Sequence, residues 1–186
     1  MSFQHPCSLK RIVALILLLL VAESGCKRPL DEAKVRAELE AKVRAEIQAI
    51  CDAENLALSR RDPEGAFAPY ANDWESIDVD GSKRTLADER EDRKDVFFGL
   101  KSLRATTTIA EVKLLDGAAL VIDRSDGEME VVSGQTGRTV TIRSAVVAEV
   151  WWRRAGSGWL AYRTRVLSRK RWVDGKLVTS WTSNER

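Results

Sequence analysis

Beyond Arg104 the chain is a succession of β-prone runs separated by short glycine turns, and this punctuation leaves few folds open. Asp116-Gly117, Asp126-Gly127, Gly156-Ser157-Gly158 and Asp174-Gly175 are sequences that reverse a strand, because glycine accepts the positive φ of a tight hairpin. They divide the C-terminal half into expected strands at 105–115, 118–124, 128–133, 138–153, 158–172 and 176–181. Strands joined this closely run antiparallel, so the pattern predicts a meander. Such a sheet leaves one face in water and needs a cover for the other.

The cover lies upstream. Residues 31–60 read as helix, with the acid-first i,i+4 pairs Glu32/Arg36, Glu38/Lys42 and Glu40/Arg44. Ala-Lys-Val-Arg-Ala-Glu occurs at 33–38 and again at 41–46, a duplication too short for a solenoid. Val35, Leu39, Val43 and Ile47 recur every four residues, so their stripe drifts by about 40° per step and one straight face cannot bury them all. We therefore read 26–44 as an anchor and charged helical lead-in, and 45–182 as the domain, with its first helix at 45–60.

Asp62-Pro63-Glu64 starts a second helix: a capping oxygen, a proline in the first turn, and an acid near the positive helix end. A short strand is expected at Trp74–Val79, closed by Asp80-Gly81. Thr85 caps a third helix over roughly 86–100, anchored by Val96, Phe97 and Leu100. Helices first and a meander afterwards is an α+β order.

The N-terminus carries a different signal. Lys10-Arg11 precede an apolar run, Ile12–Ala22, of about three helical turns, whereas a bilayer core needs about 20 residues. A basic start, a short apolar stretch and small residues beyond it predict an export signal over 1–25. Ser24-Gly25-Cys26 resembles the end of a bacterial lipoprotein signal, which implies acylation of Cys26 and attachment to a membrane surface without spanning it. Glu23 stands where that pattern has an aliphatic residue, so ordinary cleavage near Ala22-Glu23-Ser24, releasing a periplasmic or secreted chain, stays open. Cys7 leaves with the signal. Cys26 and Cys51, roughly 37 Å apart along a helix, lie beyond disulfide reach, and Cys51 reads as a small buried residue.

Ile50–Arg61 leading to Asp62, Tyr70–Gly81, Glu149-Val150-Trp151-Trp152-Arg153 and Gly158-Trp159 together resemble the nuclear transport factor 2-like superfamily, over about residues 45–170. That superfamily includes ketosteroid isomerase and polyketide-cyclase-like proteins, and many small bacterial domains without known activity. The resemblance implies a cone: three N-terminal helices packed on a curved antiparallel sheet, with a pocket at the wide end. It puts Asp78 in the place of the carboxylate base at the end of the first strand, and Glu149 near the protonated acid that donates to an oxyanion. The tyrosine that completes this site in ketosteroid isomerase falls on Glu54 here, which leaves that oxyanion hole without its phenol. Tyr70, Trp74, Phe97, Trp152 and Tyr162 are the side chains expected around the pocket, where aromatic walls suit a hydrophobic molecule. Relatives often pair, which implies a homodimer through the sheet.

The residues also supply rival readings. Along 140–152 the even positions are apolar, so Glu149, Trp151 and Arg153 face away from the core unless a bulge between 143 and 149 reverses them. Asp78 could simply serve the Asp80-Gly81 turn, and Glu149 could pair with Arg153 or Arg163. Arg153, Arg154, Arg163, Arg165, Arg169, Lys170 and Arg171 form a basic stretch without an acid. It either attracts an anionic ligand, a phospholipid surface or an acidic partner, or pairs with acids on neighbouring strands.

Composition narrows the chemistry. A net charge of +2 gives no global reason to expect nucleic acid. His5 is the only histidine and lies in the export signal, so histidine dyads, triads and zinc sites are not expected in the mature chain. No phosphate loop or dinucleotide fingerprint occurs, and neither metal nor cofactor is expected. The resulting expectation is a domain that binds a small apolar or anionic molecule, or a partner protein. The alternative is a cofactor-free isomerase, cyclase or hydrolase using Asp78 and Glu149.

Overall fold

The computed structural model describes residues 31–134 and 136–182, so the expected export signal and Cys26 lie outside the described residues. The chain divides into two compact units, residues 1–38 and 39–186. Of the first, the described residues are the exposed opening turns of helix α1 (Glu32–Ser59). In the second, α1 continues and buries Val43, Ile47 and Cys51. Val35 and Leu39 are 46% and 47% exposed, as the drifting stripe requires, so burial starts at Val43.

Helix α2 (Pro63–Phe67) follows Asp62, whose Oδ1 accepts a 3.1 Å hydrogen bond from Gly65 N. Strand β1 (Tyr70–Ile77) starts earlier than expected and forms a short hairpin with β2 (Lys83–Thr85). Thr85 then caps helix α3 (Leu86–Gly99) in a reciprocal arrangement: its hydroxyl accepts from Asp88 N, while Asp88 Oδ2 accepts from Thr85 N.

The meander consists of β3 (Leu100–Leu115), β4 (Ala118–Val132), β5 (Thr139–Ala155), β6 (Gly158–Val173) and β7 (Lys176–Thr182). Strand order is β2-β1-β6-β5-β4-β3, with β7 also on β6. The sheet is mixed rather than antiparallel throughout, because β1 runs parallel to β6. No hairpin joins those two strands; the chain leaves β2 through α3 and enters the opposite edge at β3, so turn geometry does not dictate their relative direction. Asp126-Gly127 is likewise not a turn. The strand passes straight through it, pairing Asp126 with Ala145 and Gly127 with Ser144. A Cβ on Gly127 would stand 3.2 Å from Ser144 Oγ, so the glycine belongs to a tight cross-strand contact.

The core joins α1 to the inner sheet face. Val43, Ile47 and Cys51 pack with Trp74, Ile109, Val112, Val121, Val150, Trp152 and Trp159. Ile47 is fully buried, a burial that contributes about 1.5–3 kcal/mol.

Candidate functional site

The inner face is not filled completely. A cavity of about 390 Å³ lies between the helices and β3–β6. Strand alternation builds its wall: Asp123, Ser125 and Gly127 come from β4, and Ala148, Val150 and Trp152 from β5. On β6 the alternation is broken twice. Trp151 pairs with Arg163 but Trp152 with Ala161, so Tyr162 is an extra residue, and Leu167 is extra between Val166 and Ser168. The first bulge brings Ala161 to the same cavity wall as Thr164 and Val166, and the second brings Arg169 to it, despite the uneven spacing. The β4–β5 register has no shift from Ala118/Arg153 to Val132/Thr139, so Glu149 keeps the outward direction that its position dictates.

Polar groups are set into this largely apolar wall. Tyr70 Oη donates a 2.8 Å hydrogen bond to Glu54 Oε1. Burial raises the Glu54 pKa, while the Tyr70 bond pulls it down. Burial and then the Glu54 charge hold the Tyr70 phenol well above its ordinary value. Asp123, 9% exposed, is the buried charged residue of the core; burial, and secondarily Glu54, pushes its pKa up to about 7. Burial pushes the Cys51 thiol up as well, which makes it a poor nucleophile. Trp74 Nε1 donates to Thr164 Oγ1 at 3.1 Å, and Asn55 Nδ2 to Thr107 Oγ1 at 3.3 Å. Trp152 Nε1 is buried and has no hydrogen-bond partner.

Of the expected pocket residues, Tyr70, Trp74, Phe97 and Trp152 line the cavity. Tyr70 and Trp74 meet edge to face at 5.1 Å. Tyr162, the bulge residue, is not among the lining side chains and lies under the Arg153 guanidinium at 5.6 Å. Asp78 and Glu149 are not among the lining residues either. Asp78 Oδ1 accepts from Val79 N at 2.7 Å, its carbonyl accepts from Gly81 N at 2.9 Å, and its Oδ2 meets Arg169 Nη1 at 2.6 Å. Glu149 pairs with Arg165 at 2.5 Å, rather than with Arg153 or Arg163. The basic stretch is extensively neutralised: Arg153 pairs with Asp73, Arg154 with Glu46 and Arg163 with Glu75. Among the described residues no cluster of His, Cys, Asp or Glu could hold a metal ion, and no helix is long and apolar enough to cross a membrane.

Four carboxylates line the cavity, Glu54, Glu89, Asp123 and Asp126, and burial raises the pKa of Glu54 and Asp123. Glu54 was legible as the residue in the place of the missing tyrosine. Asp123 was legible from alternation, since Ala119, Val121 and Asp123 share one strand face and the first two are fully buried.

No protein-family profile and no curated protein sequence matches the chain. Solved structures do. A nuclear transport factor 2-like superfamily protein from Salmonella enterica aligns with TM-score 0.52 and 13% identity, over 68% of this chain and 90% of that one. A ketosteroid isomerase-like protein from Erwinia carotovora aligns with TM-score 0.50 and 19% identity, over 73% and 96%. A type 2 hexachlorocyclohexane dehydrochlorinase aligns with TM-score 0.51 and 11% identity, over 77% and 90%. Curved sheet, helical cover and the cavity between them define an α+β cone. The chain has the nuclear transport factor 2-like fold.

Proposed function

We propose that the protein binds a small, mainly apolar molecule inside the cone. The observation that carries this reading is the 390 Å³ cavity, whose wall combines Tyr70, Trp74, Phe97 and Trp152 with a few buried polar groups. Ligand sites have this composition: apolar bulk for affinity and sparse polar atoms for orientation. Titrating the protein with 2-naphthol while following tryptophan fluorescence tests it. Saturable one-to-one quenching is expected, and Ala148→Phe, which fills the cavity from β5, abolishes it while the far-ultraviolet circular dichroism stays native. Equal quenching in both proteins overturns the reading.

A second reading, cofactor-free proton transfer, is favoured by Asp123, whose pKa of about 7 suits a general acid or base near neutrality. The fold is shared by proteins named for isomerase-like and dehydrochlorinase chemistry, and a solvent-shielded carboxyl is what such chemistry needs. On this reading, exchange of the α-protons of 2-tetralone in deuterium oxide is accelerated by the protein and lost in Asp123→Asn. Exchange that survives this substitution rules it out.

Export and lipid attachment complete the proposal. They are supported by Lys10-Arg11, the apolar run Ile12–Ala22 and Ser24-Gly25-Cys26. Cys26→Ala should move the protein from membrane to soluble fractions and abolish labelling by radioactive palmitate. An unchanged distribution rejects the anchor.

A further inference from the structure

Several polar side chains around the cavity have partners on the protein. Tyr70 holds Glu54 Oε1, Trp74 Nε1 holds Thr164, and Asn55 holds Thr107. Arg93 pairs with Glu89, which Arg84 also approaches at 3.7 Å, and Arg169 pairs with Asp78. Asp123 has no such partner. It is 9% exposed and, among the described residues, no hydrogen bond or ion pair reaches its carboxyl. The side chain lies on the inward face of β4 with Val121 and Ser125, and its oxygens are not sealed from the cavity as Trp152 Nε1 is. A carboxyl that has given up bulk water and gained no donor is costly, so a molecule that brings a donor is stabilised there.

The surroundings decide what kind of donor fits. Glu54 of α1 is near enough for its charge to act on Asp123, and both acids act on Cys51 between them in sequence and space. Two carboxyls facing one space in a largely apolar wall do not both ionise unless a positive charge joins them. The arginines of the cavity do not supply it, because Arg93 is held by Glu89 and Arg169 by Asp78. An anion would enter against the field of the carboxylates. A metal ion would lack ligands, since no group of three or more suitable side chains occurs among the described residues. An ammonium group needs only one or two acceptors, and an apolar wall for the body that carries it. Phe67, Tyr70 and Trp74 form such a wall beside Glu54, with successive ring centroids 6.3 and 5.1 Å apart.

Resting on the proposed binding function, we infer that the ligand is an organic cation: a protonated amine on a compact apolar body, its N–H groups donating to Asp123 and to the Glu54 oxygen that Tyr70 does not hold. Asp123 is on this account a specificity-determining residue. It selects cations over neutral and anionic molecules of the same shape.

Three naphthalenes of nearly equal bulk, titrated against the full chain by calorimetry, provide the test: 2-naphthylmethylamine, 2-naphthylmethanol and the 2-naphthoate anion. At pH 8 the amine should bind about tenfold or more tightly than the alcohol, the worth of one charge-assisted hydrogen bond, and the naphthoate should bind most weakly. The titratable and charged groups that share the cavity with Asp123 are Cys51 and Glu54 of α1, Tyr70 of β1, Glu89 and Arg93 of α3, Asp126 of β4 and Arg169 of β6. Burial keeps the thiol and the phenol neutral, so the carboxyls are what titrate between pH 5 and pH 8. The amine stays protonated throughout. It should therefore lose about tenfold or more in affinity at pH 5, where Asp123 holds its proton, while the alcohol changes little. In Asp123→Asn the amine should bind no better than the alcohol, whose own affinity is retained. Equal affinity for amine and alcohol in the wild-type protein at pH 8 overturns the inference without any variant, as does tightest binding of the naphthoate. An amine preference that survives in Asp123→Asn overturns it as well. Binding of none of the probes counts against both the proposed function and this inference, whereas binding of amine and alcohol alike counts against the inference alone.

Discussion

Tyr70 Oη donates to Glu54 Oε1 across 2.8 Å, joining the first residue of β1 to α1 at a point where both residues are partly buried. The bond is a structural tie as well as a cavity feature, since it fixes helix to sheet. Tyr70→Phe leaves the partly buried carboxyl without its donor, so a loss of about 1–3 kcal/mol is expected. Glu54→Gln keeps an acceptor for the phenol and should cost less. Urea denaturation of the two single variants and the double variant gives the coupling energy, expected to be about 1 kcal/mol or more. Additive losses would show that the two side chains do not depend on each other.

Asp123 makes stability depend on pH in a particular direction. Its folded pKa, about 7, lies above the ordinary carboxylate value, so the folded protein holds a proton that the unfolded chain releases. Stability from this group is fully present below about pH 4 and is lost as pH rises towards 7. The whole effect is on the order of 4 kcal/mol at most. Denaturation midpoints at pH 5 and pH 8 should therefore fall more for the wild type than for Asp123→Asn, which has no proton to lose. Parallel falls would refute the assignment.

Asp78 and Glu149 should behave as ion pairs open to solvent on the arginine side. Arg169 and Arg165 are 38% and 49% exposed against 17% and 16% for the two carboxylates, and pairs that keep this contact with water contribute about 1 kcal/mol. Glu149→Gln should cost no more than that, and the difference should shrink at 1 M salt, where screening is short-ranged. A loss of several kcal/mol, or one insensitive to salt, would contradict this placement.

The architecture was readable because strand turns and helix caps are local chemistry. Asp116-Gly117, Gly156-Ser157-Gly158, Asp174-Gly175 and Thr85 each act within a few residues of themselves, and each occupies the role its neighbours predict. Asp126-Gly127 looked the same locally, but its small side is used across strands by Ser144, a partner that no window of sequence contains. The parallel β1–β6 pairing was hidden for the same reason. The site split along similar lines. Trp152 followed from alternation on β5, whereas Tyr162 was displaced by a bulge on β6. Alternation alone faced Glu149 outward, while the resemblance drew attention to it. The same rule, applied to Ala119-Leu120-Val121-Ile122-Asp123, singles out the carboxyl that the cavity contains.

The drifting stripe of α1 offers the sharpest test of where the domain begins. Ile47 is fully buried and Leu39 is 47% exposed, although they occupy equivalent steps of one four-residue repeat. Truncating Ile47 to alanine removes core contacts and leaves a cavity that the curved sheet cannot close, a loss expected at about 2–5 kcal/mol. Leu39→Ala deletes side-chain atoms that are half in water and improves helix propensity slightly, so its effect should fall within about 0.5 kcal/mol. Thermal unfolding of both variants checks the contrast. Comparable losses at the two positions would mean that the helix is held along its length by something other than the inner sheet face, and the division between lead-in and domain would have to move towards the N-terminus.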